Sequence, residues 1–153
     1  MHITHLITPA RIIPQLHGTS VAQILQELAQ HLATELPFSS AAEIAALWQE
    51  RETINSTATG HGVAFPHARL PGLQAPLAIL GRSQNGIDFV IPDQERVHLV
   101  MALLSPPEAR NYHLKALGTV VRLLRSPTLR QRLQALHEPE LLYHALITEE
   151  DES

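Results

Sequence analysis

The 153-residue chain has no cysteine, few aromatic residues (4%), no excess of basic over acidic side chains, and no long hydrophobic run. Without cysteine there is neither a disulfide framework nor a thiolate metal site. Eleven Lys and Arg against fifteen Asp and Glu give a formal charge of −4, which removes the basic surplus that phosphate-backbone binding requires and argues against nucleic acid as a partner. The apolar runs are too short for a membrane-spanning helix, so no membrane insertion is expected. No basic-then-apolar segment opens the chain, which argues against secretion and makes the cytoplasm the expected location. What is present is a 44% hydrophobic content, enough to fill the core of one domain of this length.

Helical and strand periods alternate along the chain. Val21, Ile24, Leu25, Leu28 and Leu32 recur at helical spacing over 20–35, with Ser20 placed to cap and Pro37 beyond the end. Ser40 and Glu43 fit a capping box, and Ile44, Leu47 and Trp48 give one apolar face to a second helix ending near Arg51. Arg51 is expected to leave that helix towards the next loop. Short apolar segments at 62–66, 75–82, 87–91 and 97–104 are bounded by Gly, Pro, Asn and Asp and read as strands. The last is apolar at nearly every position from Val97 to Leu104, which suits a central strand covered on both faces.

Ser105-Pro106-Pro107-Glu108 reads as a helix start with Ser105 as the cap, and the helix runs to about Arg125. Its expected apolar stripe is Leu114, Leu117, Val121 and Leu124, with His113 on the flank. Two shorter helices follow at about 128–136 and 139–147. Residues 1–148 then form one α/β domain with a mixed β-sheet flanked by helices, and 149–153 an acidic, frayed tail.

The segment that carries chemistry is Gly60-His61-Gly62-Val63-Ala64-Phe65-Pro66-His67-Ala68-Arg69. Two glycines permit backbone conformations that other residues avoid, and Pro66 fixes φ and removes one amide donor, so the His67 imidazole is held rigidly behind an apolar strand. Such a mount suits a nucleophile.

The block Ser56-Thr57-Ala58-Thr59-Gly60-His61-Gly62-Val63-Ala64-Phe65-Pro66-His67 resembles the enzyme IIA domains of the fructose, mannitol and nitrogen-regulatory branch of the bacterial phosphotransferase system. Arg51-Glu52, Gly86-Ile87-Asp88-Phe89, Val97-His98-Leu99-Val100 and His113-Leu114 extend the resemblance over nearly the whole chain. It implies that His67 accepts a phosphoryl group through Nε2 from the phosphocarrier HPr, that His113 is a second histidine near the site, and that Arg51 is the family arginine beside a glutamate. Ala58, Thr59 and His61 depart from the family, which favours glycine, a β-branched apolar residue and asparagine there. In the sugar branch the enzyme IIB partner takes the phosphoryl group on cysteine. This cysteine-free chain is therefore expected to hold no IIB module and to pass the group, if at all, to another polypeptide.

Transfer between imidazoles needs positioning and charge stabilisation but no metal or organic cofactor. His67 must be neutral to attack, and a hydrogen bond from one ring nitrogen to a backbone carbonyl would fix its tautomer. Arg51 offers a planar fork for two phosphoryl oxygens, although a cation complementing a helix C-terminus has the same sequence signature. His113, near a helix start and among apolar neighbours, is the second expected donor, or a half-buried histidine satisfied by backbone. Thr57 is placed to hydrogen-bond a ring nitrogen of His67 or His113, or to bond locally to the backbone. Arg69 is either a steering charge or a solvated one. His98 lies within the apolar 97–104 segment, where packing alone accounts for it.

The nitrogen-regulatory type is favoured, and the alternative within the family is the IIA subunit of a fructose- or mannitol-type permease, with an enzyme IIB as acceptor. A reading of another class makes His61, His67 and His113 the ligands of a metal-dependent hydrolase. A third is a binding module that regulates other proteins and transfers little phosphate. HPr or its nitrogen-branch counterpart is expected to dock on an exposed apolar rim containing Phe65, Pro66 and Leu70.

Overall fold

The computed structural model describes residues 1–89 and 95–153. Helix α1 spans Val21–Ala33 and is capped as expected, the Ser20 hydroxyl accepting from Gln23 N at 3.2 Å. Its buried residues are Ile24, Leu25, Leu28, Ala29 and Leu32. Helix α2, Ala41–Ile54, shows half of the predicted capping box. Ser40 Oγ accepts from Glu43 N, while the Glu43 carboxylate takes the Ser39 hydroxyl. The helix continues three residues past its expected end, so Arg51 lies within its last turn.

One sheet occupies the centre, in the order β1 (Ile12–Ile13), β5 (Leu77–Ile87), β6 (Val97–Ser105), β3 (Val63–Ala64) and β2 (Ala58–Gly60), with β4 (His67–Arg69) also paired to β6. The β1–β5, β3–β6 and β4–β6 pairs are parallel, whereas β5–β6 and β2–β3 are antiparallel, so the sheet is mixed. The strand expected at 87–91 is not separate. Ile87 closes the long β5, Asp88 and Phe89 are irregular, and 90–91 lie outside the described residues.

Alternation along β6 divides the core. Val100, Ala102 and Leu104 join Leu25, Leu28, Ile44 and Trp48 on the face covered by α1 and α2. Leu99, Met101 and Leu103 join Val120, Leu124, Leu129, Leu142 and Leu146 on the other face, covered by α3 (Arg110–Leu124), α4 (Pro127–Ala135) and α5 (Pro139–Glu152). Each fully buried Leu or Ile contributes about 1.5–3 kcal/mol, so the central strand is anchored from both sides. Two single-turn 3₁₀ segments, Ile3–His5 and Pro9–Arg11, lead into β1.

Three boundary expectations are corrected. Helix α3 begins at Arg110 without a side-chain cap, because Ser105 is the last residue of β6. Its buried face is His113, Ala116, Val120, Leu123 and Leu124, while Leu114 is exposed, since the sheet selects the stripe one position away from the expected one. The acidic residues after Thr148 are the last turn of α5 rather than a frayed tail. Glu149 accepts from Ser126 Oγ at 2.5 Å and Glu150 from Ile3 N at 2.8 Å, which ties that turn to the fold. No helix of the described residues is long and apolar enough to cross a membrane.

Candidate functional site

Between β2 and β3 the chain turns through Gly60, His61 and Gly62, whose φ values are +91°, +59° and +77°. Three consecutive left-handed residues reverse the backbone in minimal length, and two of them are residues without a Cβ to oppose it. The chain then runs along β6 twice. Val63 and Ala64 pair with Leu99 and Val100, and His67, Ala68 and Arg69 pair with Leu103, Leu104 and Ser105.

Phe65 and Pro66 form the break between those two runs. Phe65 N donates to Thr57 O at 3.1 Å, and Pro66 O accepts from Leu103 N at 2.8 Å. His67 is thus the first residue of β4, and its ring folds back so that Nδ1 lies 2.8 Å from the Phe65 carbonyl. A carbonyl only accepts, so Nδ1 carries the proton and the neutral ring keeps its lone pair on Nε2. The expected carbonyl lock is present.

His67 lines a cleft of about 430 Å³ with Arg51, Arg69 and His113, walled by Leu47, Ile54 and Ala68. The His67 and His113 rings are 5.6 Å apart between centroids and tilted by 48°. His113 is 8% exposed, and its Nδ1 lies 2.7 Å from Ser105 Oγ. Burial, the Arg69 charge and His67 push its pKa down to about 4. The His67 pKa is also lowered. Burial is the main cause, the Phe65 carbonyl opposes it, and Arg51 outweighs the opposing Glu52 in the same neighbourhood. Both rings are therefore neutral at neutral pH.

Arg51 reaches the cleft from the last turn of α2, its Nη1 donating to Asn55 O at 2.8 Å. Thr57 does not bond to either histidine. Its hydroxyl donates to the Glu52 carboxylate, which also accepts the Thr57 amide at 3.1 and 3.2 Å. Glu52, one residue beyond Arg51 in α2, thus staples the helix end to the start of β2. Arg69 is not a free solvated charge, since its Nη1 donates to Pro106 O at 3.1 Å and holds the turn between β6 and α3.

Sequence reasoning missed Ser105 and Glu52 as site residues. Ser105 carried the signature of a helix cap, and the Arg51-Glu52 pair was the only sign of Glu52. The expected docking rim is overturned, because Phe65 and Leu70 are 4% and 0% exposed and Pro66 is buried. The exposed apolar side chain lining the cleft is Ile54, 76% exposed. The three-histidine metal reading is overturned as well. His61 lines a different cavity with Val121, Arg125 and Arg130, and among the described residues no group of three His, Cys, Asp or Glu is placed to hold a metal ion.

Comparison with known proteins follows the same outline. Residues 5–149 match the family described as phosphoenolpyruvate-dependent sugar phosphotransferase system, EIIA 2. The chain is 38% identical over 146 residues to the nitrogen regulatory protein of Bradyrhizobium diazoefficiens, covering 95% of each. It resembles in structure the nitrogen regulatory protein IIA-Ntr from Neisseria meningitidis, with TM-score 0.86 and 26% identity over 94% of this chain and 97% of that one. The enzyme IIAMTL of Escherichia coli, solved in complex with phosphorylated enzyme IIBMTL, shares the fold at TM-score 0.76 and 13% identity, over 93% and 97% of the two chains.

Proposed function

The chain belongs to the phosphoenolpyruvate-dependent sugar phosphotransferase system EIIA 2 family, and from that premise we propose that it is a phosphohistidine carrier of the nitrogen-regulatory type. His67 takes a phosphoryl group from an HPr-type phosphocarrier and either holds it as a regulatory state or passes it on. The observation that carries this reading is the bond from His67 Nδ1 to the Phe65 carbonyl. It leaves Nε2 as the nucleophilic nitrogen of a neutral ring that lines a cleft containing two arginines and a second histidine.

In the transfer step the phosphorus–nitrogen bond to the donor imidazole breaks as a bond to His67 Nε2 forms. The His67 proton stays on Nδ1, donated to the Phe65 carbonyl, so the step itself moves no proton. Arg51 contributes fixed charge and donors to the phosphoryl oxygens, and His113 contributes an N–H. These groups stand ready before the donor arrives, which is where the rate advantage of such a site lies.

The length and identity shared with a nitrogen regulatory protein favour that branch. The complex of the mannitol enzyme with its phosphorylated IIB keeps a sugar-permease subunit as the second reading, with an enzyme IIB as acceptor. In either branch the donor approaches over Ile54 and Leu47, apolar residues that line the cleft.

Intact-protein mass after incubation with phosphoenolpyruvate, enzyme I and HPr tests the reading. One acid-labile phosphoryl group is expected on the wild type and none on His67→Ala. Full phosphorylation of His67→Ala would overturn the assignment of the nucleophile.

A further inference from the structure

Ser105 sits at the end of β6 with no exposed surface, and its backbone is fixed by the neighbouring strand. Its carbonyl accepts Leu70 N at 2.9 Å, and it pairs with Arg69 in the β4–β6 ladder. The backbone that places His67 therefore also places the Ser105 hydroxyl. That hydroxyl lies 2.7 Å from His113 Nδ1, its hydrogen-bond partner among the described residues.

Two proton arrangements fit that distance. If Nδ1 carried the proton and donated to Oγ, the serine hydrogen would be left without an acceptor in a fully buried site. A buried donor left without an acceptor forfeits its full desolvation cost, so the favoured arrangement has Oγ–H donating to an unprotonated Nδ1. The one proton of the neutral imidazole then resides on Nε2.

We propose that Ser105 is a positioning residue that holds His113 in the Nε2–H tautomer, opposite to the Nδ1–H tautomer that the Phe65 carbonyl imposes on His67. The two rings are thereby complementary. His67 presents a lone pair on Nε2 for phosphorus, and His113 presents an N–H on Nε2 for a phosphoryl oxygen. Loss of the serine leaves a ring that also populates the Nδ1–H form, whose Nε2 lone pair repels the phosphoryl oxygens.

This inference rests on the phosphocarrier reading for its consequence but not for its first observable. Ring nitrogen resonances in ¹H–¹⁵N spectra of the unphosphorylated protein report each tautomer directly. The wild type is expected to show His113 protonated at Nε2 and His67 at Nδ1. In Ser105→Ala, His113 becomes a mixture or reverts to Nδ1–H while His67 is unchanged, and in Ser105→Thr the wild-type pattern returns. The rate of phosphoryl transfer at saturating phospho-HPr is expected to fall roughly ten-fold in Ser105→Ala and to recover in Ser105→Thr, as for a lost orienting partner of a site histidine, with KM unchanged. A wild-type His113 protonated at Nδ1, or Ser105→Ala with both tautomer and rate unaltered, would overturn the proposal. Wild-type protein that shows the predicted tautomers but takes no phosphoryl group sinks the carrier reading and leaves the tautomer lock standing.

Discussion

The indole N–H of Trp48 on α2 donates to the carbonyl of Leu103 on β6, at 3.0 Å within the core. Leu103 is the residue that pairs with His67 across the β4–β6 ladder, and its own amide donates to Pro66. One buried aromatic thus ties the helix that carries Arg51 to the strand position that faces His67.

Replacing Trp48 with Phe removes that donor and leaves a void where the larger ring stood. A loss of about 2–4 kcal/mol in unfolding free energy is expected from the lost bond together with the cavity, measured by urea denaturation. A change below half a kcal/mol would mean that the bond does not anchor α2.

Arg51→Lys keeps the positive charge but loses the planar fork, and Nη1 already serves Asn55 O. The rate of phosphoryl transfer is expected to fall by roughly ten- to a hundred-fold with stability nearly unchanged, the loss associated with a transition-state donor of this kind. Stopped mixing with phospho-HPr reads it, and a rate equal to wild type removes Arg51 from the chemistry.

Ile54→Glu probes the apolar margin of the cleft. The side chain is 76% exposed, so the fold tolerates the change, and a carboxylate there desolvates poorly against an apolar partner surface. KM for phospho-HPr is expected to rise several-fold while the maximal rate holds. An unaltered KM would place the docking surface elsewhere.

Acid should weaken the fold through His113 before most carboxylates titrate. In the unfolded chain its pKa is about 6.5, and in the fold burial lowers it to about 4. Between those values the unfolded chain binds the extra proton, so stability falls as pH drops from about 6.5 to about 4 and this contribution levels off below. The total is on the order of 3 kcal/mol, and the lowered pKa of His67 acts in the same direction. Denaturation series across that range check it. His113→Gln should flatten the curve, and an equally steep curve in that variant would exclude His113 as the cause.

The same cleft separates what was legible in the sequence from what was not. Ser20 and Ser40 cap their helices as the sequence predicts, because a cap is a contact across three residues. The carbonyl lock on His67 spans only two residues and follows from Pro66, which interrupts strand pairing and leaves the Phe65 carbonyl for the ring. Residues 97–104 read as a doubly covered strand because burial on both faces demands apolar side chains at nearly every position, His98 being the half-buried exception.

Other features needed the assembled fold. Helix α3 carries apolar residues on two adjacent stripes, and only packing against Leu99, Met101 and Leu103 turns His113 rather than Leu114 inward. Ser105 is compatible with a cap by sequence, yet β6 extends through it and hands its hydroxyl to His113 eight residues on. Phe65 and Leu70 look available to a partner until helices cover both faces of the sheet.

The sequence by itself determined the rigid mount of His67, the capped helices and the central strand, since each depends on φ preferences, hydrogen bonds or periodicity within a few residues. The tertiary structure decided the surroundings of that histidine: which face His113 presents, where Thr57 bonds, and what lies opposite His67. Those are contacts between segments whose local preferences are satisfied by more than one arrangement, and burial against a shared sheet selects one.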